Sequence, residues 1–306
     1  MRLSGRDIAE KLYEELKKRV KKIKKHKIVP HLVVILVGEN PASIAYVTQK
    51  QKKGEEIGAK VTVLKYETSV TTEELKEKVK LLNGDPFVHA ILIQRPLPEQ
   101  IDVERLEMLT DPQKDIDGFH PDSPYTLPLP LAVVKILEEI HSSLRGGTTR
   151  RFLEASPLGG MQFQTSFKHW LQSQNIVLLG KGPTGGGPII EHLKTLNVTP
   201  YLIDSKTKNP EQIMKQADII ISAVGRENTV KKDDLKPGVI LISVGINRGA
   251  NNKLHGDYDE DKIKEIASYY TPTPGGVGPV NVAMLMENLL TATERQTVKK
   301  NKVVQS

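Results

Sequence analysis

Residues 175–185 read Asn-Ile-Val-Leu-Leu-Gly-Lys-Gly-Pro-Thr-Gly, an apolar run that breaks at once into G-x-G-x-x-G. The run has the length and the branched side chains of a buried strand over 175–179, and residues 188–196 suit the helix that follows. Each glycine has a task if a dinucleotide binds here. Gly180 makes the tight turn, Gly182 lets backbone approach a pyrophosphate, and Gly185 lets helix pack closely on sheet, while the amino end of the helix favours phosphate charge. Glycine triplets alone are a weak signal, and a plain strand-to-helix turn is the competing reading. Context favours the dinucleotide. A strand over 198–203 ends at Asp204, where a carboxylate would reach a ribose, and Ser205 and Lys206 follow. Two more apolar runs, 217–224 and 239–244, close at Gly225 and at Gly245-Ile246 on the same sheet edge. These features predict an α/β, Rossmann-like NAD(P)-binding domain over residues 141–272. Its candidate cofactor contacts are Gly180, Lys181, Gly182, Gly185, Asp204, Ser205, Lys206, Gly225 and Ile246.

Upstream, residues 4–25 read as a helix with Ser4 as cap and Ile8, Leu12, Leu16 and Val20 as its apolar stripe. The basic run over 17–27 is its solvated face; a nucleic-acid arm is the sharper alternative, disfavoured because no aromatic or glycine residues interleave with the charges. A strand over 31–37 leads into Asn40-Pro41, a cap and first-turn pair, and so into a second helix. Tyr46 and Lys50 then lie one turn apart on one face, near the carboxyl end of a strand, where open α/β sheets place ligands. Taken alone this stretch reads as a surface tyrosine beside one of many lysines; a phenol and an ammonium placed for proton transfer are the sharper alternative. A strand over 60–66, a capping box at Thr71-Thr72-Glu73-Glu74, a helix to about residue 82 and a strand over 88–93 complete a parallel α/β pattern. Gln94 stands at the carboxyl end of the third strand, because Pro96 and Pro98 stop the ladder. The loop 111–118 carries Asp115 and Asp117, of which only one can face a given cleft, and an Asx-type turn ending in Gly118 explains it equally well.

A helix is expected over 131–140, then a long irregular excursion over 141–165, lid or disordered insert. Residues 270–279 hold three prolines and three glycines and read as a shaped loop, either a hinge or backbone lining a planar ligand. A final helix over 281–290 and a frayed basic tail beyond 294 are expected. The 306 residues suffice for two domains, with no apolar run of membrane-span length. Residues 1–8 show no secretory pattern, so a cytoplasmic location is expected. The absence of cysteine excludes disulfides and cysteine-based metal or nucleophile sites. A net charge of +7 favours an acidic partner, a nucleotide among others, without selecting one. No metal, nucleic acid or membrane is expected.

Five stretches in this order, Y-x-x-x-K at Tyr46 to Lys50, Q-x-P-L-P from Gln94, K-D-x-D-G from Lys114, Val244 to Asn247, and T-P-x-P-G-G-V-G-P ending at Pro279, resemble methylenetetrahydrofolate dehydrogenase/cyclohydrolase, the bacterial FolD family. The resemblance spans nearly the whole chain outside 141–165. It implies oxidation of 5,10-methylenetetrahydrofolate to the methenyl form with NADP, then hydrolysis to 10-formyltetrahydrofolate, by a cytosolic homodimer of one-carbon metabolism serving purine biosynthesis. It also implies a catalytic, folate-binding domain over 1–140 completed by 273–306. In it Lys50 would be the cyclohydrolase acid/base, Tyr46 would lie against folate, Gln94 would assist Lys50, and Asp117 would bind the pterin. Pro274, Gly275, Gly276 and Val277 would bring backbone close to the substrate.

The chain departs from the family in its cofactor loop, with Lys181 and Gly182 where arginine and serine are usual, and with Asp204 before Ser205, Lys206 and Thr207 where His-Ser before lysine and threonine is usual. Asp204 favours NAD, whereas Lys181, Ser205 and Lys206 favour NADP; the resemblance tips the expectation to NADP, with NAD open. Ser243 replaces an aspartate, and the usual Pro-Cys-Thr-Pro segment is replaced over 124–130. Two other readings are a nucleotide-binding regulatory or scaffold protein without turnover and a related dehydrogenase with another substrate. The intact Tyr46, Lys50, Gln94 and Asp117 set disfavours both.

Overall fold

The computed structural model describes residues 1–146, 157–249 and 253–304, without the side chains of 157–161 and 298–304. The chain divides into two compact units, residues 10–128 with 282–306, and residues 1–9 with 129–281. The sequence-based division at 140 and 273 groups the chain differently: the boundaries fall inside the first and last helices and at the start of the fifth.

In the first of these units, β1 (His31–Val37) is central in a parallel sheet of order β2-β1-β3, with β2 at Lys60–Tyr66 and β3 at Ala90–Ile93. All seven residues of β1 are buried, as expected of a parallel strand covered on both faces, whereas the edge strand β2 is only half-buried. The ladder aligns Ile35 with Ile93, so Gln94 emerges at the carboxyl edge. Helix α1 (Gly5–Lys24) enters this unit at residue 10; its start, in the other unit, follows Ser4, whose Oγ accepts from Asp7 N at 3.2 Å. Asn40 Oδ1 caps α2 (Pro41–Glu56), accepting from Ala42 and Ser43 N, and Pro41 occupies the first turn. Thr71 and Glu74 close a reciprocal capping box on α3 (Thr72–Gly84), a device that contributes about 1 kcal/mol. Val33, Ile35, Leu75, Val79, Ile91 and Leu106, the last on α4 (Val103–Leu109), share one core.

The other unit has a five-stranded parallel sheet of order β10-β7-β6-β4-β5. Its strands are β4 (Ile176–Leu179), β5 (Tyr201–Ile203), β6 (Ile219–Ser222), β7 (Ile240–Ser243) and β10 (Tyr269–Tyr270), beside a small hairpin, β8 (Asn247–Arg248) with β9 (Leu254–His255). Strand order reverses around β4, with β5 on one side and β6 on the other; ligands of open α/β sheets bind at such a point. Val177, Leu179, Ile220, Leu241 and Tyr258 pack in its core.

Two irregular segments differ from expectation. Helix α5 (Pro128–Leu144) runs past residue 140, and α6 (Pro157–Gln172) begins before 165, so both ends of the expected excursion are helical. Tertiary contact overrides the weak pattern there: His141 is 4% exposed and its ring stacks on Trp170 with centroids 5.0 Å apart. Residues 147–156 of the expected excursion lie outside the described residues. The last helix, α10 (Val277–Val304), starts inside the expected loop and continues through the expected frayed tail. Pro279 falls in its first turn, where no intrahelical N–H bond is lost. Helices α7 (Gly186–Thr195), α8 (Pro210–Met214) and α9 (Glu260–Ile263) complete the second unit. Among the described residues no helix is long and apolar enough to cross a membrane.

Candidate active site

Helix α2 carries Tyr46 and Lys50 beside the carboxyl end of β3. Lys50 Nζ donates to Gln94 Oε1 at 3.0 Å, and Gln94 Nε2 donates to Arg95 O at 2.6 Å. The second bond fixes the amide's polarity, so its oxygen stays turned to the lysine. Burial pulls the Lys50 pKa down from the usual lysine range, while nearby Asp117 opposes that shift. Tyr46 is 43% exposed, and its hydroxyl has no hydrogen-bond partner among the described residues. The Arg95-Pro96 peptide is cis.

The loop bearing Asp117 is fixed from three sides. Lys114 Nζ donates to the carbonyls of Leu82, Asn83 and Asp85 at 2.8, 2.7 and 2.8 Å, tying the loop to the end of α3. Asp115 accepts from Gly118 N at 3.1 Å and His120 N at 2.7 Å. From α10, Asn288 Nδ2 donates to Ile116 O and Thr126 O, both at 2.9 Å. Gly118 has φ +76°, and a Cβ there would meet Tyr125 O at 2.7 Å, so only glycine fits the turn. Of the two carboxylates, Asp115 is therefore spent on its own loop, and burial pushes its pKa up to about 6. Asp117 has no hydrogen-bond partner among the described residues. Burial also raises its pKa, against the pull of Lys50 and Arg95. Both Asp117 and Lys50 are partly exposed and retain some solvent-accessible surface. Lys50, Gln94 and Asp117 thus converge within one unit.

Pro274, Gly275, Gly276 and Val277 belong to the other unit. Thr273-Pro274 is cis, Gly275 has φ +104°, and a Cβ on Gly276 would lie 2.5 Å from Pro272 O. Val277 is buried, at 5% exposed.

At the cofactor edge, Gly180 turns out of β4 with φ +86°, and a Cβ there would come 2.9 Å from Ala223 O. Gly182 has no atom within 4 Å of its would-be Cβ, so the space on that side of its Cα is open. Gly185 caps α7 without a side-chain acceptor for the first-turn N–H groups. The close-packing position is Gly186 rather than Gly185: a Cβ on Gly186 would lie 1.9 Å from Gly180 O, against 3.6 Å to the nearest atom for Gly185. Lys181 Nζ pairs with Asp204 Oδ2 at 2.8 Å, and Asp204 Oδ1 accepts from Lys206 N at 2.9 Å. The Lys181 ammonium holds the Asp204 carboxyl below the usual carboxylate range. Ser205 is exposed, Gly225 has φ +72°, and Ile246 is 40% exposed. Gly182 O accepts from Gly185 N and Gly187 N, both at 3.1 Å, so the α7 end has a main-chain but no side-chain cap; that end and the basic Lys181 side chain fit a dinucleotide pyrophosphate. No group of three or more metal-ligating side chains is assembled among the described residues.

Comparison with known proteins decides the family. Residues 3–117 match the tetrahydrofolate dehydrogenase/cyclohydrolase catalytic domain, and residues 154–297 match its NAD(P)-binding domain. The chain is 36% identical over 294 residues to the bifunctional protein FolD of Lactococcus lactis subsp. cremoris, covering 96% of this chain and 97% of that one. This chain belongs to the tetrahydrofolate dehydrogenase/cyclohydrolase family. The bifunctional FolD of Campylobacter jejuni superposes with a TM-score of 0.82 at 33% identity, covering 96% of this chain and 99% of its own. The Trypanosoma brucei FolD, solved with NADP cofactor and an inhibitor, gives a TM-score of 0.82 at 26% identity, covering 97% and 98%.

In this tetrahydrofolate dehydrogenase/cyclohydrolase several residues that pattern reading passes over hold the geometry. Arg95 pairs with Glu107, lies 4.3 Å from the Phe119 ring centroid and acts electrostatically on Asp117. Its signal was a charge between a strand end and a proline. Gly186 was hidden by a run of three glycines, 185–187, whose register the sequence leaves ambiguous. Asn288 reaches a loop 172 residues away and has no local signature.

Proposed function

We propose that the chain oxidises 5,10-methylenetetrahydrofolate to the 5,10-methenyl form with NADP and hydrolyses that product to 10-formyltetrahydrofolate, with Lys50 as the acid/base of hydrolysis. The observation that carries the role of Lys50 is its hydrogen bond to Gln94 together with the electrostatic influence of nearby Asp117. Asp117 accepts donors of the pterin ring, and Tyr46 lies against it. Pro274, Gly275, Gly276 and Val277 bring main chain close to the folate.

Oxidation needs no protein base. The bound dinucleotide supplies the hydride acceptor, and the protein's part is to hold the methylene carbon in line with it. Gly180, Lys181, Gly182, Gly185, Asp204, Ser205, Lys206, Gly225 and Ile246 are the proposed contacts for the dinucleotide. Hydrolysis requires proton traffic. Neutral Lys50 takes a proton as water adds to the methenyl carbon, forming the C–O bond. The resulting ammonium protonates the ring nitrogen as its C–N bond breaks, and the second water proton leaves to solvent. Gln94 keeps the amine in place through both transfers.

NADP is favoured because Lys181 neutralises Asp204, so a 2′-phosphate would not meet a bare carboxylate. Cytoplasmic location, homodimeric assembly and service to purine synthesis follow from the family resemblance. Incubating the protein with 5,10-methylenetetrahydrofolate and NAD or NADP, while following methenyl formation and decay, tests the reading. Formation followed by enzyme-dependent decay, faster with NADP, supports it; neither phase above buffer controls refutes it.

A further inference from the structure

Asp257 lies two residues beyond β9, is 0% exposed, and belongs to no motif in the sequence. Its Oδ2 accepts from Val224 N at 3.1 Å and its Oδ1 from Arg226 N at 2.9 Å. Its own amide donates to Ser243 Oγ at 3.0 Å, and its carbonyl accepts from Val230 N at 3.0 Å. No cation pairs with this carboxylate among the described residues, so backbone N–H groups hold its charge. The carboxylate also abuts the loop after β7: a Cβ on Gly245 would lie 2.4 Å from Oδ2, 2.6 Å from Oδ1 and 2.3 Å from Gly225 N. One side chain therefore locks the loops that follow β6 and β7 against each other.

Peptide planarity gives the lock a direction. Each N–H turned to Asp257 turns the preceding carbonyl away from it, so the carbonyls of Ala223 and Gly225 point to the other side. Ala223 O packs against Gly180, the first glycine of the cofactor turn. These loops follow the strands on the β6 side of β4, whereas Asp204 follows β5 on the opposite side. In an open α/β sheet a dinucleotide spans that reversal, with the adenosine ribose on the acidic strand's side and the nicotinamide on the other.

We infer that Asp257 is a positioning residue for the dehydrogenase, fixing the Gly225 and Gly245-Ile246 main chain that receives the nicotinamide half of the dinucleotide. The inference rests on the NAD(P) reading above. A carboxamide offers both a donor and an acceptor, and a backbone held from behind presents matching groups without reorganising when the dinucleotide arrives.

Two full-length variants test it. Asp257→Asn keeps the shape but leaves one acceptor for two N–H donors; Gly245→Ala keeps the carboxylate and pushes a methyl group into it. Calorimetric titration with NADP should show binding weakened about tenfold or more in both. The dehydrogenase KM for NADP should rise, while hydrolysis of directly supplied methenyltetrahydrofolate falls far less. Unchanged NADP affinity in both variants overturns the inference, and so does a fall of both activities in step, which marks a role in the fold alone. Wild-type protein that binds neither NAD nor NADP would instead sink the underlying reading.

Discussion

Lys50 is held by two opposing influences, burial that lowers its pKa and the Asp117 charge that raises it. Under the proposed mechanism, in which neutral Lys50 takes the first proton of hydrolysis, the rising limb of rate against pH should lie below the ordinary lysine range. Removing the carboxylate in Asp117→Asn takes away the influence that raises Lys50, so at saturating substrate the limb should move to still lower pH. A limb that moves up disproves the coupling. On the proposed role of Asp117, Asp117→Ala should remove a charged acceptor for the pterin, costing roughly 1.5–3 kcal/mol of folate binding, seen as raised KM in both activities. If only the KM for the dinucleotide rises, Asp117 serves the other pocket. At the cofactor edge, Lys181→Gln should expose the Asp204 carboxylate and shift preference towards NAD, while Asp204→Ser frees Lys181 and shifts it towards NADP. Specificity constants for both cofactors in the two variants measure this, and added salt should shrink both effects because Lys181 is 61% exposed. At this scale the sequence was informative where spacing implies a shared face, as for Tyr46 and Lys50. It was silent on partners such as Asn288, which only tertiary folding brings to the Asp117 loop.

Among the elements, those with strong local chemistry were legible in advance. The Asn40-Pro41 entry to α2 and the Thr71-Glu74 box state their own hydrogen bonds, and the unbroken apolar run of β1 states its burial. Elements set by packing were not. Helices α5 and α6 extend into a region rich in glycine because His141, Phe167 and Trp170 pack ring against ring. Helix α10 begins at Val277 because proline in a first turn costs no hydrogen bond. The α7 turn gives a prediction of its own. A Gly186→Ala methyl has no room beside Gly180 O and Leu178, so overpacking of roughly 1–3 kcal/mol should appear as a lowered thermal midpoint together with weakened NADP binding. Gly185→Ala, with 3.6 Å of clearance, should be the milder change in both measurements. Equal effects at the two positions would remove the assignment of close packing to Gly186.

The whole molecule carries two chemistries with different demands. One needs a dinucleotide held at the reversal of a five-stranded sheet; the other, on the proposed reading, needs a partly buried lysine beside a three-stranded one. That the chain holds two α/β sheets was legible from the order of its strand and helix patterns. Where one compact unit ends and the next begins was not, since α1 and α10 each contribute residues to both and a continuous helix leaves no boundary in the sequence. The central claim is that Lys50 serves hydrolysis and not oxidation. It is tested by the time course of methenyltetrahydrofolate in wild type and Lys50→Met supplied with 5,10-methylenetetrahydrofolate and NADP. In wild type the methenyl form should rise and then decay through the enzyme. In the variant it should still form and then accumulate, with enzyme-dependent hydrolysis reduced about 100-fold or more. Decay in Lys50→Met at the wild-type rate would contradict the account.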